Sequence, residues 1–170
     1  MSETRQRIAD RVERDPGIHF SALVRDLDLG RGQVQYHLRR LRTADAVLAE
    51  ELYGRTHYYP DAFDDWERGA LALLRRETAR EVVLWLLANG PDRPATVADD
   101  LGIARSTLEW HLDNLVERDL VEKRRDEGDR VTLAATRPDA TARLLGEVDA
   151  SVPDRLVDRF ARLVDSLLEE

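Results

Sequence analysis

The stretch Leu29-Gly30-Arg31-Gly32-Gln33-Val34-Gln35-Tyr36-His37-Leu38 decides how this chain is organised, because its pattern occurs twice. A shift of 74 residues places Tyr36-His37-Leu38 over Trp110-His111-Leu112. The same shift pairs identical residues at six further positions: Asp26, Leu27, Arg31, Leu41, Asp45 and Val47. A repeat with so long a period indicates two copies of one small domain rather than a solenoid. Two unrelated amphipathic helices are the alternative.

Each copy has the same predicted order of elements. In the first copy, apolar residues at helical spacing predict helices over 3–14, 20–27 and 31–43, and two short extended runs around Tyr53-Gly54-Arg55 predict a hairpin. In the second copy, a long helix ends at Asn89-Gly90-Pro91 and is followed by helices over about 95–101 and 105–118. A hairpin over 121–134 closes that copy. This order is that of the winged helix-turn-helix, so we expect a mainly α fold with small β-hairpin wings.

The length of 170 residues fits two such domains and their connections. We expect a first winged helix-turn-helix over 1–60, a helical linker over 61–75, a second winged domain over 76–136, and C-terminal helices over 137–170. The last segment repeats apolar residues at intervals of four, three and four, the spacing of a two-helix seam: Leu156, Phe160, Leu163 and Leu167. This seam either packs on its own chain or, as we expect, pairs with its twin in a homodimer.

Two motifs support a family resemblance. Pro16-Gly17-Ile18-His19-Phe20, followed by residues 29–38, resembles archaeal regulators that carry two tandem winged helix-turn-helix domains. Residues 101–112 are similar to the ArsR/MarR-type winged helix. The resemblance implies a transcription factor, usually dimeric, whose third helix enters the major groove of DNA. The net charge of −8, with 25 arginines and the single lysine Lys123, also resembles the protein surfaces of extreme halophiles.

The third helix of the first copy has the chemistry of a DNA-reading helix. When Val34, Leu38 and Leu41 face the core, glutamines and arginines point outward, and no acidic residue interrupts residues 31–42. Glutamine pairs with adenine, and arginine pairs with guanine or phosphate. The expected DNA-binding residues are Arg31, Gln33, Gln35, Tyr36, His37, Arg39, Arg40 and Arg42, together with Arg55 and Thr56 in the wing.

Other interpretations of these residues stay open. Arginines on a helix surface are often simply solvated, and the wing residues Arg55, Thr56 and His57 form either phosphate contacts or an exposed turn. His37 either contacts DNA or is hydrogen-bonded within its domain, and we favour the internal role for its counterpart His111.

The third helix of the second copy differs, because its outward positions include Glu109, Trp110 and Asp113. Carboxylates repel phosphates, and an outward tryptophan suits a protein contact. The weaker DNA-binding candidates here are Arg105, Ser106, Thr107 and Asn114. We therefore expect the first copy to read DNA and the second to serve as scaffold, dimer surface or regulatory domain.

Several function classes are excluded by the sequence. The chain has no cysteine, which excludes disulfides and thiolate chemistry. It has no apolar secretion segment or 18-residue apolar run, so we expect a cytoplasmic protein without membrane contact. No phosphate-binding glycine loop, nucleophile elbow or metal-ligand spacing is present, and we expect no enzyme activity, cofactor or metal.

The function we predict is sequence-specific regulation of transcription. A homodimer would bind double-stranded DNA at an inverted repeat. The alternative is a winged-helix module that docks on the transcription machinery without reading DNA.

Overall fold

The computed structural model describes residues 2–148. The chain divides into two compact units, Met1–Ala72 and Leu73–Glu170. The described part is mainly helical and contains two small antiparallel sheets, which confirms the predicted fold class. None of the helices within residues 2–148 has the length and apolar character needed to cross a membrane.

The first unit follows the predicted order and adds one strand. Its elements are α1 (Glu3–Arg14), β1 (Ile18–His19), α2 (Phe20–Leu27), α3 (Arg31–Thr43), β2 (Leu48–Leu52) and β3 (Arg55–Tyr59), and α4 (Asp65–Leu74) begins within it. Its core is formed by apolar side chains from α1, β1, α2, α3 and β3 and from the residue before β2, and Ala49 of β2 packs against them: Ile8, Val12, Ile18, Leu23, Val34, Leu38, Leu41, Val47 and Tyr58. The helical periodicity that predicted α1, α2 and α3 is therefore the periodicity of buried residues.

The strand β1 ties the wing to the start of α2. The sheet has the order β1-β3-β2, and Ile18 of β1 pairs with Tyr58 of β3. The ring of His57, in the same strand, lies inside the unit with its Nδ1 at 2.6 Å from the carbonyl oxygen of Gly17. The expectation that His57 belongs to the exposed part of the wing is therefore wrong, because β3 is the central strand and its second half is covered.

The second unit repeats the order of three helices and a hairpin, with an isolated bridge between Asp92 and Leu133 in place of a strand like β1, and it adds one helix. It contains α5 (Glu77–Asn89), α6 (Pro94–Leu101), α7 (Arg105–Glu117), β4 (Val121–Arg125), β5 (Val131–Ala135) and α8 (Pro138–Leu145). Its buried apolar residues include Val82, Val83, Leu86, Val97, Leu108, Leu112, Leu115, Leu120 and Leu133. The predicted seam of Leu156, Phe160, Leu163 and Leu167 lies outside the described residues.

The two units also agree in backbone detail at equivalent positions of the repeat. Asp45 and Asp119, which follow α3 and α7, both have the left-handed conformation, with φ of 55° and 60°. The amide of the next residue donates to a helix carbonyl in each case, from Ala46 to Leu41 and from Leu120 to Leu115, at 2.9 Å. Each third helix therefore ends in the same αL turn, which sets the direction in which the hairpin leaves.

Candidate nucleic-acid interface

The buried stripe of α3 determines which of its side chains reach solvent. Val34, Leu38 and Leu41 are buried, so the residues between them point outward, and 48% of Tyr36 is exposed. We call this outward surface the α3 face. It consists of Arg31, Gln35, Tyr36, Arg39, Arg40 and Arg42, all of them exposed.

The positive charge of the α3 face is not neutralised within the described part of the chain. Among residues 2–148, none of Arg31, Arg39, Arg40 and Arg42 forms an ion pair with a carboxylate. Two of these arginines lie against aromatic rings instead. The Arg31 guanidinium lies 4.9 Å from the centre of the Phe20 ring, and the Arg40 guanidinium lies 5.3 Å from that of Tyr36. These contacts orient the guanidinium groups and leave their charge available to an anion.

Gln33 has a structural task that limits what it can bind. Its Oε1 accepts a hydrogen bond from the amide of Gly30 at 3.2 Å, which caps the first turn of α3. The side-chain NH2 remains as a donor. Gln33 can therefore donate to a phosphate oxygen or a base acceptor, but it cannot pair bidentately with adenine while it caps the helix.

His37 lies at the flank of the α3 face and is half-buried. Its ring packs edge-on against Tyr36, with 5.1 Å between the ring centres. Its buried Nδ1 has no hydrogen-bond partner within residues 2–148. The structure thus places His37 beside the exposed residues without showing an internal hydrogen bond at that nitrogen.

A cleft of about 610 Å³ extends the α3 face towards the wing. We call it the wing cleft. Within residues 2–148 its lining contains three arginines and no carboxylate, and consists of His19, Phe20, Ser21, Arg25, Arg31, Gln35, Arg55, Thr56 and Tyr58. Four predicted DNA-binding residues therefore meet here: Arg31, Gln35, Arg55 and Thr56.

His19 and Arg25 are residues of the wing cleft that sequence reasoning missed. His19 is the N-cap of α2, and its Nδ1 accepts a hydrogen bond from the Ala22 amide at 3.3 Å. The other ring nitrogen, Nε2, lies 3.1 Å from Nη1 of Arg55 in the wing. The available signal was the polar residue directly before the apolar start of α2, because N-cap positions favour side chains that accept a backbone hydrogen bond.

A smaller depression of about 380 Å³ lies at the other end of α3. Arg39, Arg42 and Thr43 line it together with residues 47–49 of the start of the wing. The predicted residues therefore occupy one side of the first unit, from the wing cleft to the C-terminal end of α3.

The corresponding helix of the second unit has acidic residues where α3 has a glutamine, an arginine and a threonine, although Arg105 keeps the positive charge of its counterpart Arg31. We call its outward surface the α7 face, and it consists of Glu109, Trp110, Asp113, Asn114 and Glu117. Glu109 is paired with Lys123 at 2.9 Å and lies 3.7 Å from Arg105, whereas Asp113 and Glu117 form no ion pair within residues 2–148.

The weaker candidates of the second unit are placed as follows. Arg105, Ser106 and Thr107 are exposed at the start of α7, and Asn114 is half-buried. Burial, and then the nearby charge of Arg76, lower the pKa of His111 below its usual value. Among residues 2–148, no three histidine or acidic side chains converge as a metal site requires.

Comparison with known proteins identifies the fold of the first unit. Residues 2–71 match a family model described as an N-terminal HTH domain. The amino-terminal unit is therefore similar to a helix-turn-helix domain, and we call residues 2–71 the HTH domain below. The HTH domain thus contains the whole α3 face and the whole wing cleft.

A curated relative extends the similarity beyond the HTH domain. An uncharacterized HTH-type transcriptional regulator of Methanocaldococcus jannaschii is 28% identical to this chain over 131 residues, which are 77% of this chain and 33% of the relative. The matched residues thus span about a third of the length of that relative.

Proposed function

We propose that this protein is a DNA-binding transcription regulator whose HTH domain reads the major groove with α3. One observation carries the proposal: the α3 face presents four arginines without a carboxylate partner among the described residues. A duplex supplies the missing anions as phosphates and the base acceptors of guanine. The similarity of the first unit to an HTH domain, and that of the chain to an archaeal HTH-type transcriptional regulator, support the same function.

The exposed side chains of α3 divide into two roles. Gln35, whose amide has no structural partner within residues 2–148, pairs with adenine, and Arg39 and Arg40 pair with guanine or with phosphates. Gln33 donates to a phosphate or a base acceptor, because its Oε1 caps α3. Tyr36 packs against the thymine methyl group or a sugar.

The wing cleft binds the sugar-phosphate backbone beside the groove. Among the described residues its lining holds three arginines and no carboxylate, and although Arg25 is paired with Asp26 at 3.3 Å, Arg31 and Arg55 suit phosphate oxygens. Arg55 and Thr56 reach the cleft from the wing. His19 and Arg25 complete the set from α2. These contacts fix the register of α3 in the groove and carry no sequence preference themselves.

The remaining parts of the chain extend this proposal. The second unit is a second winged domain, similar to the ArsR/MarR type, which does not read DNA because of the carboxylates on the α7 face. The residues beyond 148 provide the homodimer seam, and the dimer binds an inverted repeat. The chain acts in the cytoplasm of a salt-adapted archaeon, needs no cofactor and catalyses no reaction.

A charge-reversal experiment on the full chain tests this function. Arg39→Glu removes one cation of the α3 face, and Arg14→Glu is the matched control on α1, an exposed arginine outside the face. We expect Arg39→Glu to weaken duplex binding about 100-fold, since a bidentate base contact is worth about 1–3 kcal/mol and the new carboxylate adds repulsion. Arg14→Glu should stay within about threefold. Equal losses in the two variants would show that α3 does not read DNA.

Fluorescence anisotropy with a randomised duplex pool, followed by sequencing of the bound fraction, provides both the affinity and the preferred site. An enriched inverted repeat would support the dimer. Enrichment of single half-sites without symmetry would refute it.

A further inference from the structure

The α7 face is a charge-inverted counterpart of the α3 face. The repeat places acidic or tryptophan residues of α7 at positions that are basic, polar or tyrosine in α3: Glu109 for Gln35, Trp110 for Tyr36, Asp113 for Arg39 and Glu117 for Thr43. Both helices bury apolar residues at equivalent positions of the repeat, so the side chains of the two faces point outward at equivalent positions.

Trp110 is the most exposed large apolar side chain of residues 2–148, with 60% of it accessible. The Arg76 guanidinium lies 5.9 Å from the centre of its ring system, and the indole N–H has no acceptor within the described residues. Tryptophan gives an interface much apolar area at a small entropic cost and often dominates its binding energy. An indole displayed in this way indicates a contact surface.

The charges around Trp110 select the kind of partner. Asp113 and Glu117 are exposed and lack a cation among residues 2–148, whereas the neighbouring Glu109 is already paired with Lys123. A partner must therefore bring positive charge and an aromatic or aliphatic surface for the indole. Duplex DNA is excluded as the partner of this face, because its phosphates would meet the two carboxylates.

We propose that the α7 face binds the α3 face of a second copy of this chain. The α3 face meets both requirements, since Arg39 and Arg40 have no carboxylate partner among residues 2–148 and Tyr36 is half-exposed beside them. Contact between the two faces pairs Arg39 with a carboxylate of α7 and covers Trp110. It also covers the residues that read DNA. Where this rests on the proposed function, the consequence is that the contact between the α3 face and the α7 face excludes DNA binding, whereas pairing through the seam beyond residue 148 does not.

A charge swap on the full chain tests the contact. Arg39→Asp reverses the charge on the α3 face, and Asp113→Arg reverses it on the α7 face. The double variant again has opposite charges at positions 39 and 113, with the signs exchanged. Asp99→Arg, at an exposed carboxylate on α6, is the control. Sedimentation velocity should show at least tenfold weaker association in each single variant, measured as the growth of assemblies beyond the dimer that the seam holds. The double variant and the control should associate within about threefold of the wild type.

The outcomes separate the two proposals. If neither single variant changes association, or if the double variant stays as weak as the singles, a second copy does not occupy the α7 face and the proposal fails. The DNA affinity of Arg39→Asp is measured separately: if it equals that of the wild type, the proposed function fails while the charge swap still decides the self-contact. Trp110→Ala provides a further check, since it should weaken association and leave duplex binding at low protein concentration unchanged.

Discussion

Nη1 of Arg55 lies 3.1 Å from Nε2 of His19, while Nδ1 of the same ring accepts a hydrogen bond from the Ala22 amide at 3.3 Å. A neutral imidazole offers only one acceptor nitrogen. The α2 cap and the Arg55 contact therefore compete for the lone pair of one ring. When a phosphate takes Arg55, His19 can keep its proton on Nε2 and cap α2 without conflict. Arg55 therefore gives up only a weak contact with His19 when it binds a phosphate.

The first prediction concerns the two roles of His19. Asparagine is a good N-cap, so His19→Asn should unfold close to the wild type, whereas His19→Ala should lose about 1 kcal/mol of the free energy of unfolding. Both should bind duplex more weakly, because neither retains Nε2. Urea unfolding and anisotropy measure the two effects. Equal stability of the two variants would show that the cap contributes nothing.

The second prediction concerns Gln33. Glutamate at this position can still accept the Gly30 amide, but it has no donor and adds a negative charge beside the phosphates. Gln33→Glu should therefore keep the wild-type stability and lose at least tenfold in duplex affinity. Gln33→Ala should lose a few tenths of a kcal/mol in stability. Its loss of duplex affinity should be smaller than that of the glutamate variant. A glutamate variant that binds like the wild type would remove Gln33 from the interface.

The third prediction separates phosphate contacts from base contacts. Arg55→Ala should weaken binding to all duplexes alike and reduce the slope of log affinity against log salt by about 1. Gln35→Ala should leave that slope unchanged and relax the preference for an A·T pair at one position of the site. The measurement is a salt series on the selected site and on its single-base variants. Identical slopes in Arg55→Ala and the wild type would place the wing away from the backbone.

The fourth prediction concerns how the stability of the second unit depends on pH. His111 is the one histidine in the sequence of this unit. Burial and the charge of Arg76 hold the pKa of His111 below that of the unfolded chain, which is about 6.5. Between those two values the unfolded state binds more protons than the folded state. The free energy of unfolding is therefore highest above about pH 6.5, where His111 is neutral in both states, and it decreases as the pH falls below that value.

His111→Gln should flatten this dependence. Unfolding of the full chain, followed by tryptophan fluorescence between pH 5 and 8, measures the midpoint for both proteins. A slope between pH 5.5 and 6.5 that is the same in the variant and the wild type would contradict the assignment to His111.

Local sequence was sufficient to predict α3. Its bounds follow from the spacing of Val34, Leu38 and Leu41 and from the glycine turn before Arg31, and both act within a few residues. The sequence was also sufficient to predict that the outward side of α3 is basic and that of α7 is acidic. Helical geometry alone decides which side chains face away from the buried stripe.

The strand β1 and the wing cleft could not be predicted in the same way. β1 has two residues, and it is a strand only because β3, 40 residues later, pairs with it. His19, Arg25 and Arg55 meet in the cleft for the same reason. His57 has the polarity of a wing-tip residue, and only its place in the central strand buries it.

The position of His19 in the chain has a further consequence. The same residue ends β1, which pairs with strand β3 of the wing, and precedes the first turn of α2, so the backbone at His19 joins the wing sheet to α2. A duplex that pulls on the wing must alter the backbone at that joint. The Ala22 amide proton, which donates to the His19 ring, is therefore sensitive to movement of the wing. Its rate of exchange with solvent should change when DNA binds the HTH domain.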